Sequence, residues 1–191
     1  MTDETVTAYA SGLPKLCSGI ALVGFMGAGK STVGRELASK LGWRFADIDD
    51  LVEQHEGRTI EQIFGDDGEP AFRRLECAAV RDAIKTPEGG SVVLALGGGA
   101  FIEPGIQKCL RESDIPAVFL DAPVAELFQR CEQPGVNRPL RRNPEQFREL
   151  YEHRRPEYLK ASICIDTAGT TISSVVEQII SGLNLVPSRS L

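Results

Sequence analysis

The sequence lacks the features that mark several large classes of protein. None of its apolar runs approaches the ~20 residues that a membrane-spanning helix needs. Its 21 lysines and arginines are outnumbered by 27 aspartates and glutamates, and the net charge of −6 leaves no basic surplus for general nucleic-acid binding. The first residues include Asp3 and Glu4 and no apolar core, so no secretory signal is expected. These absences predict a cytoplasmic protein that engages neither a membrane nor a nucleic acid.

Cysteine and histidine are sparse and form no metal-binding pattern. The 5 cysteines are odd in number and contain no C-x-x-C pair, which predicts reduced thiols rather than a zinc site or a disulfide framework. The two histidines, His55 and His153, stand in polar helical patterns and are expected at the surface. Neither residue type therefore indicates a catalytic or metal-ligating centre.

A phosphate-binding motif is the most informative segment that is present. Residues 24–31 read GFMGAGKS, which matches G-x-x-x-x-G-K-[ST]. An apolar run over residues 20–23 predicts a strand before the motif, and residues 31–41 have the apolar spacing of a helix after it. The glycines let backbone N–H groups turn toward phosphate oxygens, and the helix N-terminus adds its positive dipole end. Lys30 would reach the β- and γ-phosphates and the Ser31 hydroxyl would ligate Mg²⁺, so the motif predicts binding of ATP or GTP.

Strand and helix patterns alternate from residue 19 to near the C-terminus. This alternation predicts an α/β fold with a parallel sheet and helices on both faces. Residues 18–191 are expected to form one domain after a disordered tail at 1–17, and the proline-rich loop at about 133–144 is long enough to close as a lid. Further strands are predicted at 43–47, 91–96, 117–120 and 162–165. Further helices are predicted at 49–55, 68–85, 103–111, 123–132 and 145–160, and another beyond 172. One more helix should begin at a capping box formed by Thr59 and Gln62.

Acidic residues follow two of the predicted strands. Asp47 and Asp49 come at the carboxyl end of the second strand, the edge at which open α/β sheets bind ligands. Phosphoryl transfer needs one carboxylate to hold the hydrated metal and a group that orients or deprotonates the attacking hydroxyl. On spacing alone, Asp49 could equally cap the following helix. Asp121 ends another buried strand, and its position favours capping of the helix expected at Pro123.

Three consecutive glycines and a set of arginines complete the candidates. Gly97, Gly98 and Gly99 follow a buried strand, where backbone can approach a ligand, although a plain turn explains them as well. Arg73 and Arg154 stand beside apolar positions on helices, which favours partly buried contacts with a carboxylate. Several arginines are expected to form only a solvated face. The whole set is Arg73, Arg74, Arg130, Arg138, Arg141, Arg142, Arg154 and Arg155, with Arg138 in the proposed lid.

The order of several short motifs resembles that of the shikimate kinases, enzymes of aromatic amino-acid synthesis. These motifs are GFMGAGKSTVGRELA, DIDDLVE, GRTIEQIFGDDGEPAFRRLE, LALGGGA, NRPL and HRRPEY, and the resemblance covers residues 19–183. It implies the nucleoside-monophosphate-kinase-like fold of P-loop NTPases, with five parallel strands in the order 2-3-1-4-5. It also implies a monomer that uses ATP and Mg²⁺ to phosphorylate the 3-hydroxyl of shikimate, giving shikimate 3-phosphate and ADP.

The resemblance further implies a role for each matching residue. Lys30 and the lid residue Arg138 would neutralise the transferring phosphate, and Asp49 would act on the attacking hydroxyl as base or positioner rather than only as a helix cap. Ser31 would bind Mg²⁺ directly and Asp47 through water. The implied nucleotide contacts are Gly27, Ala28, Gly29, Lys30, Ser31, Thr32 and Arg138, with Arg130 stacked on adenine. The implied shikimate contacts are Asp49, Gly97, Gly98 and Gly99, with Arg73 and Arg154 on the carboxylate and Phe64, Phe72 and Glu76 as walls and support.

Two other functions fit parts of the sequence. A kinase of another small hydroxy acid, such as gluconate, would share the phosphate loop but has no reason to pair Arg73 with Arg154 around a ring carboxylate. A silent nucleotide-binding module would be expected to have lost Lys30, Asp49 or Arg73, and the chain retains them all. The segment 166–170 lacks an arginine that some relatives place near adenine, so the resemblance leaves the adenine contact at this segment open.

Overall fold

A parallel sheet forms the centre of the computed structural model, which describes residues 18–85, 90–131 and 143–186. Its strands are β1 (Gly19–Val23), β2 (Arg44–Asp47), β3 (Val92–Ala95), β4 (Ala117–Asp121) and β5 (Ile163–Asp166). They lie in the order β2-β3-β1-β4-β5, and every neighbouring pair is parallel. This arrangement confirms the five-stranded sheet implied by the sequence.

The inner strands are apolar along their length because helices cover the sheet on both faces. Every residue of β1 and β3 is buried, whereas β2 and β5, at the two edges, are only partly buried. The helices are α1 (Lys30–Leu41), α2 (Ile48–Glu56), α3 (Ile60–Asp66), α4 (Glu69–Ile84), α5 (Pro104–Glu112), α6 (Val124–Cys131), α7 (Pro144–Tyr158) and α8 (Ile172–Gly182). Helix α1 packs most extensively against α8, and both α2 and α3 pack against α4.

Local sequence signals determine where several helices begin and end. The capping box predicted for α3 is present: the Thr59 side chain accepts from Gln62 N–H, and Gln62 Oε1 accepts from Thr59 N–H at 2.9 Å. Helices α1 and α2 end at Gly42 and Gly57, whose φ angles of 67° and 64° lie in the left-handed region that favours glycine. These caps satisfy backbone groups that the helix itself leaves unpaired.

The structure departs from the sequence-based expectations at two points. A short 3₁₀ helix, Ala100–Ile102, follows the three glycines, and three residues are too few to show any periodicity in a sequence. The prediction that Asp121 caps the next helix is wrong, because α6 begins only at Val124. The Asp121 carboxylate instead accepts from the Tyr151 hydroxyl at 2.7 Å and from Arg155 at 2.8 Å. The predicted tail at 1–17 and the lid residues 133–142 lie outside the described part of the chain.

The histidines and the described cysteines have the character that the sequence predicted. His55 and His153 are exposed, as their polar neighbours predicted. Cys77, Cys109, Cys131 and Cys164 are free thiols. Across the described ranges, no helix combines the length and the apolarity that crossing a bilayer requires.

Candidate active site

The phosphate loop connects β1 to α1 and depends on its glycines. Gly27 has a φ of 81°, and a Cβ on it would lie 2.5 Å from the carbonyl oxygen of Leu127, so only glycine fits. Lys30 Nζ donates to the carbonyls of Gly24 and Phe25 at 2.9 and 3.1 Å, which draws the loop around its side chain. The loop is therefore held in shape by its own residues, at the N-terminus of the 12-residue α1.

Ser31 and Asp47 meet at the end of the phosphate loop. The Ser31 hydroxyl donates to Asp47 Oδ2 at 2.6 Å, and Asp47 Oδ1 accepts from the backbone N–H of Asp49 at 3.2 Å. Asp47 is therefore the N-cap of α2, and Asp49 stands in the first turn of that helix. The capping role considered for Asp49 belongs to Asp47.

The same two side chains fit a magnesium ion held mainly by phosphate. A hydroxyl and a carboxylate are hard oxygen donors, and Mg²⁺ in nucleotide sites usually takes one or two protein groups, with waters and phosphate oxygens in the remaining positions. Ser31 and Asp47 supply such a pair beside the loop. Within the described residues, no group of three or more His, Cys, Asp or Glu side chains stands close enough to hold an ion. Ser31 and Asp47 thus fit an ion whose remaining positions are filled by phosphate oxygens and waters.

A cavity of about 600 Å³ runs along the loop and has room for a nucleotide. Asp47, Asp49, Arg130, Thr170 and Ile172 are among the residues that line it. The predicted nucleotide contacts that line it are Gly27, Ala28, Gly29, Lys30, Ser31, Thr32 and Arg130.

Arg130 lines this cavity and contacts two separate segments of the chain. Its guanidinium donates to the side chain and the carbonyl of Thr167 at 3.2 and 3.1 Å, and it approaches the carbonyl of Gly27 at 3.5 Å. Arg130 also forms an ion pair with Glu126 one turn earlier on α6. These contacts hold a planar cation between the phosphate loop and the segment after β5.

A second site, here called the glycine corner, is formed by residues 97–99 and the side chains that face them. A Cβ on Gly97 would lie 2.6 Å from both Asp49 Oδ1 and Glu76 Oε1, and one on Gly99 would overlap Arg73 Nη2. A Cβ on Gly98 would lie 3.6 Å from Arg154 Nη1. Because these three glycines have no Cβ, two acids and two arginines from three helices can lie close to their backbone.

The two arginines reach the glycine corner from different helices. Arg73 on α4 donates to Glu76 at 2.7 Å and to Glu69 at 2.8 Å, and only 14% of its side chain is exposed. Arg154 on α7 lies with its Cζ 6.0 Å from the ring centroid of Phe25 in the phosphate loop. Two guanidinium groups that approach one turn from different helices are suited to hold a carboxylate between them.

Glu76 is the most perturbed acid of the site. Its side chain is fully buried, Oε2 accepts from Arg73, and Oε1 has no hydrogen-bond partner among the described residues. Burial raises the pKa of Glu76 to about 7, with the Arg73 cation opposing the rise and the charge of Asp49 adding to it. The carboxyl therefore holds a proton more readily than an ordinary glutamate does.

Phe64 and Phe72, the two aromatic residues predicted as walls of the site, pack against each other. Phe72 is buried beside Arg73, and its ring centroid lies 4.7 Å from that of Phe64. Phe64 is 37% exposed and meets solvent, whereas the Phe72 ring centroid lies 5.2 Å from Cζ of Arg73.

Comparison with known proteins identifies the family. The family model described as shikimate kinase matches residues 26–184. The chain belongs to the shikimate kinase family. A shikimate kinase from Thermus thermophilus is 41% identical over 174 residues, covering 90% of this chain and 92% of that protein. One from Mycobacterium ulcerans is 42% identical over 167 residues, covering 85% and 88%.

Solved shikimate kinases also share the fold. The enzyme from Acinetobacter baumannii in complex with shikimate is 34% identical, with a TM-score of 0.75 over 87% of this chain and 93% of that one. The enzyme from Aquifex aeolicus is 36% identical, with a TM-score of 0.73 over 87% and 96%. A gluconokinase from Sinorhizobium meliloti has a TM-score of 0.60 at 24% identity, a likeness of fold alone.

Within this member of the shikimate kinase family, the structure brings together most of the predicted site residues. Asp49, Glu76 and Arg154 converge on the glycines, and Ser31 and Asp47 meet beside the loop. Arg74 is exposed, as expected of a solvated face. Arg138, Arg141 and Arg142 lie outside the described residues.

Sequence reasoning missed one hydrogen-bonded cluster beside the site. Asp121, Tyr151 and Arg155 bond to one another at the carboxyl end of β4. The spacing of Tyr151 and Arg155, four residues apart on one helix, could have indicated that they share a face, but nothing local pointed to Asp121 as their partner.

Proposed function

We propose that ATP binds in the cavity along the phosphate loop and that shikimate binds at the glycine corner. The reaction of the chain is transfer of the terminal phosphoryl group of ATP to shikimate, as its family membership and relatives support. One observation supports this arrangement most directly: Asp49 lines the nucleotide cavity, and a Cβ added to Gly97 would lie 2.6 Å from Asp49 Oδ1. Asp49 would therefore lie between the phosphate donor and the acceptor.

On the donor side, Lys30, Ser31 and Asp47 would supply the groups expected at the phosphates. Lys30 now bonds to two loop carbonyls, and we infer that it turns to the β- and γ-phosphates when ATP enters. Ser31 and Asp47 would hold Mg²⁺, which when bound offsets the negative charge of the phosphate oxygens. Arg138, in the lid segment, is proposed as the further cation that reaches the phosphates.

On the acceptor side, the glycine corner selects for an anionic ring compound. Arg73 and Arg154 would clamp the carboxylate, and the backbone at Gly97 to Gly99 lets the ring lie close to the protein. With the carboxylate fixed at one end, the 3-hydroxyl is directed at Asp49, which accepts its hydrogen bond as positioner or base. Orientation and charge neutralisation thus supply most of the catalysis, because phosphoryl transfer requires little covalent work from the protein.

We further propose that the chain acts in the cytoplasm as a monomer. Its cysteines, which form no disulfide among the described residues, and the sequence features given first support the location, and the resemblance to shikimate kinases supports the monomer. Sedimentation or size-exclusion measurement of the pure protein tests the monomer.

The test of the function is ADP release with ATP and Mg²⁺ fixed, in the presence and absence of shikimate. We expect release to depend on shikimate, and gluconate to be a poor acceptor. Asp49→Asn should lower kcat by about 10²–10⁴-fold, the usual contribution of a positioned acid or base, while the KM for ATP changes less than about twofold.

Asp50→Asn provides the matched control for Asp49. Asp50 is the next acid on the same helix and lines a separate cavity of about 430 Å³ with Arg35 and Arg44. Its replacement should leave kcat near the wild-type value. Near-normal turnover of the Asp49 variant would remove this residue from the mechanism, and turnover of gluconate without shikimate would reassign the substrate.

A further inference from the structure

The hydrogen-bonded cluster of Asp121, Tyr151 and Arg155 contains none of the residues proposed to contact a substrate. Arg155 donates to Asp121 Oδ2 through Nε at 3.2 Å and through Nη2 at 2.8 Å, so two N–H groups hold one carboxylate. The Tyr151 hydroxyl donates to Asp121 Oδ1 at 2.7 Å and accepts from Arg155 Nε at 3.1 Å. Each member of the cluster therefore contacts the other two.

Asp121 is a rigid anchor for this cluster. It ends the buried strand β4, and its carbonyl oxygen accepts from both the N–H and the hydroxyl of Thr167 at 2.8 and 2.9 Å. Thr167 is itself buried, and Arg130 of the nucleotide cavity bonds to it. The carboxylate of Asp121 is thus attached to the sheet and not to a mobile loop.

The helix that carries Tyr151 and Arg155 also carries Arg154 of the glycine corner. Consecutive residues of an α-helix project about 100° apart, whereas residues four apart share a face. Tyr151, Arg154, Arg155 and Tyr158 therefore lie on one side of α7, with Arg155 at the edge toward Asp121 and Arg154 at the other edge, toward the glycine corner. The Tyr158 hydroxyl donates to the carbonyl of Gly98 and so ties this side of the helix to the glycine corner.

The last turn of α7 needs such attachment because of its sequence. Pro156 lies inside the helix, directly after Arg155, and it has no N–H to donate to the preceding turn. The backbone at this point is less constrained than in an uninterrupted helix. A two-donor side-chain contact one residue before Pro156 restricts the rotation of the helix at the place where its own hydrogen bonding is weakest.

We propose that Asp121 and Arg155 are positioning residues for the acceptor, which fix the rotation of α7 so that Arg154 faces the glycine corner. The inference rests on the proposed function, because it assumes that Arg154 binds the carboxylate of shikimate. It assigns separate roles to two adjacent arginines: Arg154 contacts substrate, and Arg155 sets the direction in which Arg154 points. Tyr151 supports the contact from the same face.

The experiment measures kcat and the KM of each substrate for Arg155→Met, Arg155→Lys and Arg154→Met. We expect Arg155→Met to raise the KM for shikimate about five- to tenfold, with kcat and the KM for ATP within about twofold. Arg155→Lys should recover part of the affinity, because lysine keeps the charge but cannot offer the same fork of donors. Arg148→Met, which removes an exposed arginine earlier on the same helix, should leave all three constants unchanged.

A double variant separates a specific contact from general loss of structure. If Asp121 and Arg155 act as a pair, Asp121→Asn combined with Arg155→Met should raise the KM for shikimate no more than the worse single variant. The positioning role would be overturned if Arg155→Met left the KM for shikimate unchanged. It would also be overturned if kcat fell and both KM values rose to the same degree, together with a lowered melting temperature. If Arg154→Met also left the KM for shikimate unchanged, the proposed carboxylate site itself would be wrong.

Discussion

Replacing Glu76 by glutamine should change how the stability of the fold depends on pH. Glu76 is fully buried, with one oxygen bonded to Arg73 and the other without a hydrogen-bond partner among the described residues. Burial raises its pKa from the ordinary 4.5 to about 7. Over that range, the folded protein keeps a proton on this carboxyl that the unfolded chain has already released.

The direction and size of the effect follow from this difference in proton binding. Because the folded state binds more protons between pH 4.5 and 7, the free energy of unfolding falls as the pH rises through this window. The contribution is fully present below pH 4.5 and is lost above pH 7. At about 1.4 kcal/mol per pKa unit, the wild type should lose on the order of 3 kcal/mol relative to Glu76→Gln, whose side chain has no charge to desolvate.

The assay is equilibrium unfolding in urea at several pH values between about 5 and 8, for the wild type and the variant. Glu69→Gln is the matched control, because Glu69 also pairs with Arg73 on the same helix but is 59% exposed. Its loss should change stability by less than about 0.5 kcal/mol and leave the pH dependence of the wild type intact. Parallel curves for the wild type and Glu76→Gln would refute the reasoning, since they would mean that Glu76 titrates alike in both states.

Two further predictions test the glycine corner and a helix cap. Gly97→Ala should lower shikimate-dependent turnover about a hundredfold with little change in the KM for ATP, because its Cβ would lie 2.6 Å from Asp49 and Glu76 oxygens. Gly65→Ala on α3 is the control: its Cβ meets nothing within 4 Å, so kinetics should be normal and thermal unfolding should show stability unchanged or higher by up to ~1 kcal/mol. Full activity of Gly97→Ala would show that the turn can shift without cost. Thr59→Ala removes the capping box and should lower the free energy of unfolding by about 1 kcal/mol in urea titrations, and an unchanged midpoint would contradict the cap's contribution.

The elements of this fold were predictable because their signals are local. The strand, loop and helix of the phosphate motif, the capping box at Thr59 and the glycines that end α1 and α2 each depend on residues within a few positions of one another. Buried strands such as β3 are visible as continuous apolar runs because both of their faces are covered. The order of the strands came only with the family resemblance, since alternation alone fixes parallel pairing and not which strands are neighbours.

The contacts of the site were less predictable because they join distant parts of the chain. Asp121 shows why: a carboxylate two residues before a proline reads as a cap, and the partners it actually has, Tyr151 and Arg155, come 30 and 34 residues later. Periodicity could place Arg154 and Arg155 on a helix but could not say which of them meets substrate. That choice depends on the rotation of α7, which the contacts of Arg155 with Asp121 and of Tyr158 with Gly98 restrict.

The charge state of the glycine corner is a further property that no motif contains. Asp49 and Glu76 both face the place proposed for an anionic acceptor, and two full negative charges there would repel it. Burial of Glu76 reduces this repulsion, because a carboxyl whose pKa is about 7 is about half protonated at that pH and more fully protonated below it. A protonated Glu76 offsets less of the positive charge of Arg73, although the two side chains remain hydrogen-bonded at 2.7 Å. The depth at which the fold buries Glu76 therefore helps to decide how strongly Arg73 can attract a carboxylate, and this depth is set by packing rather than by the sequence of the motif itself.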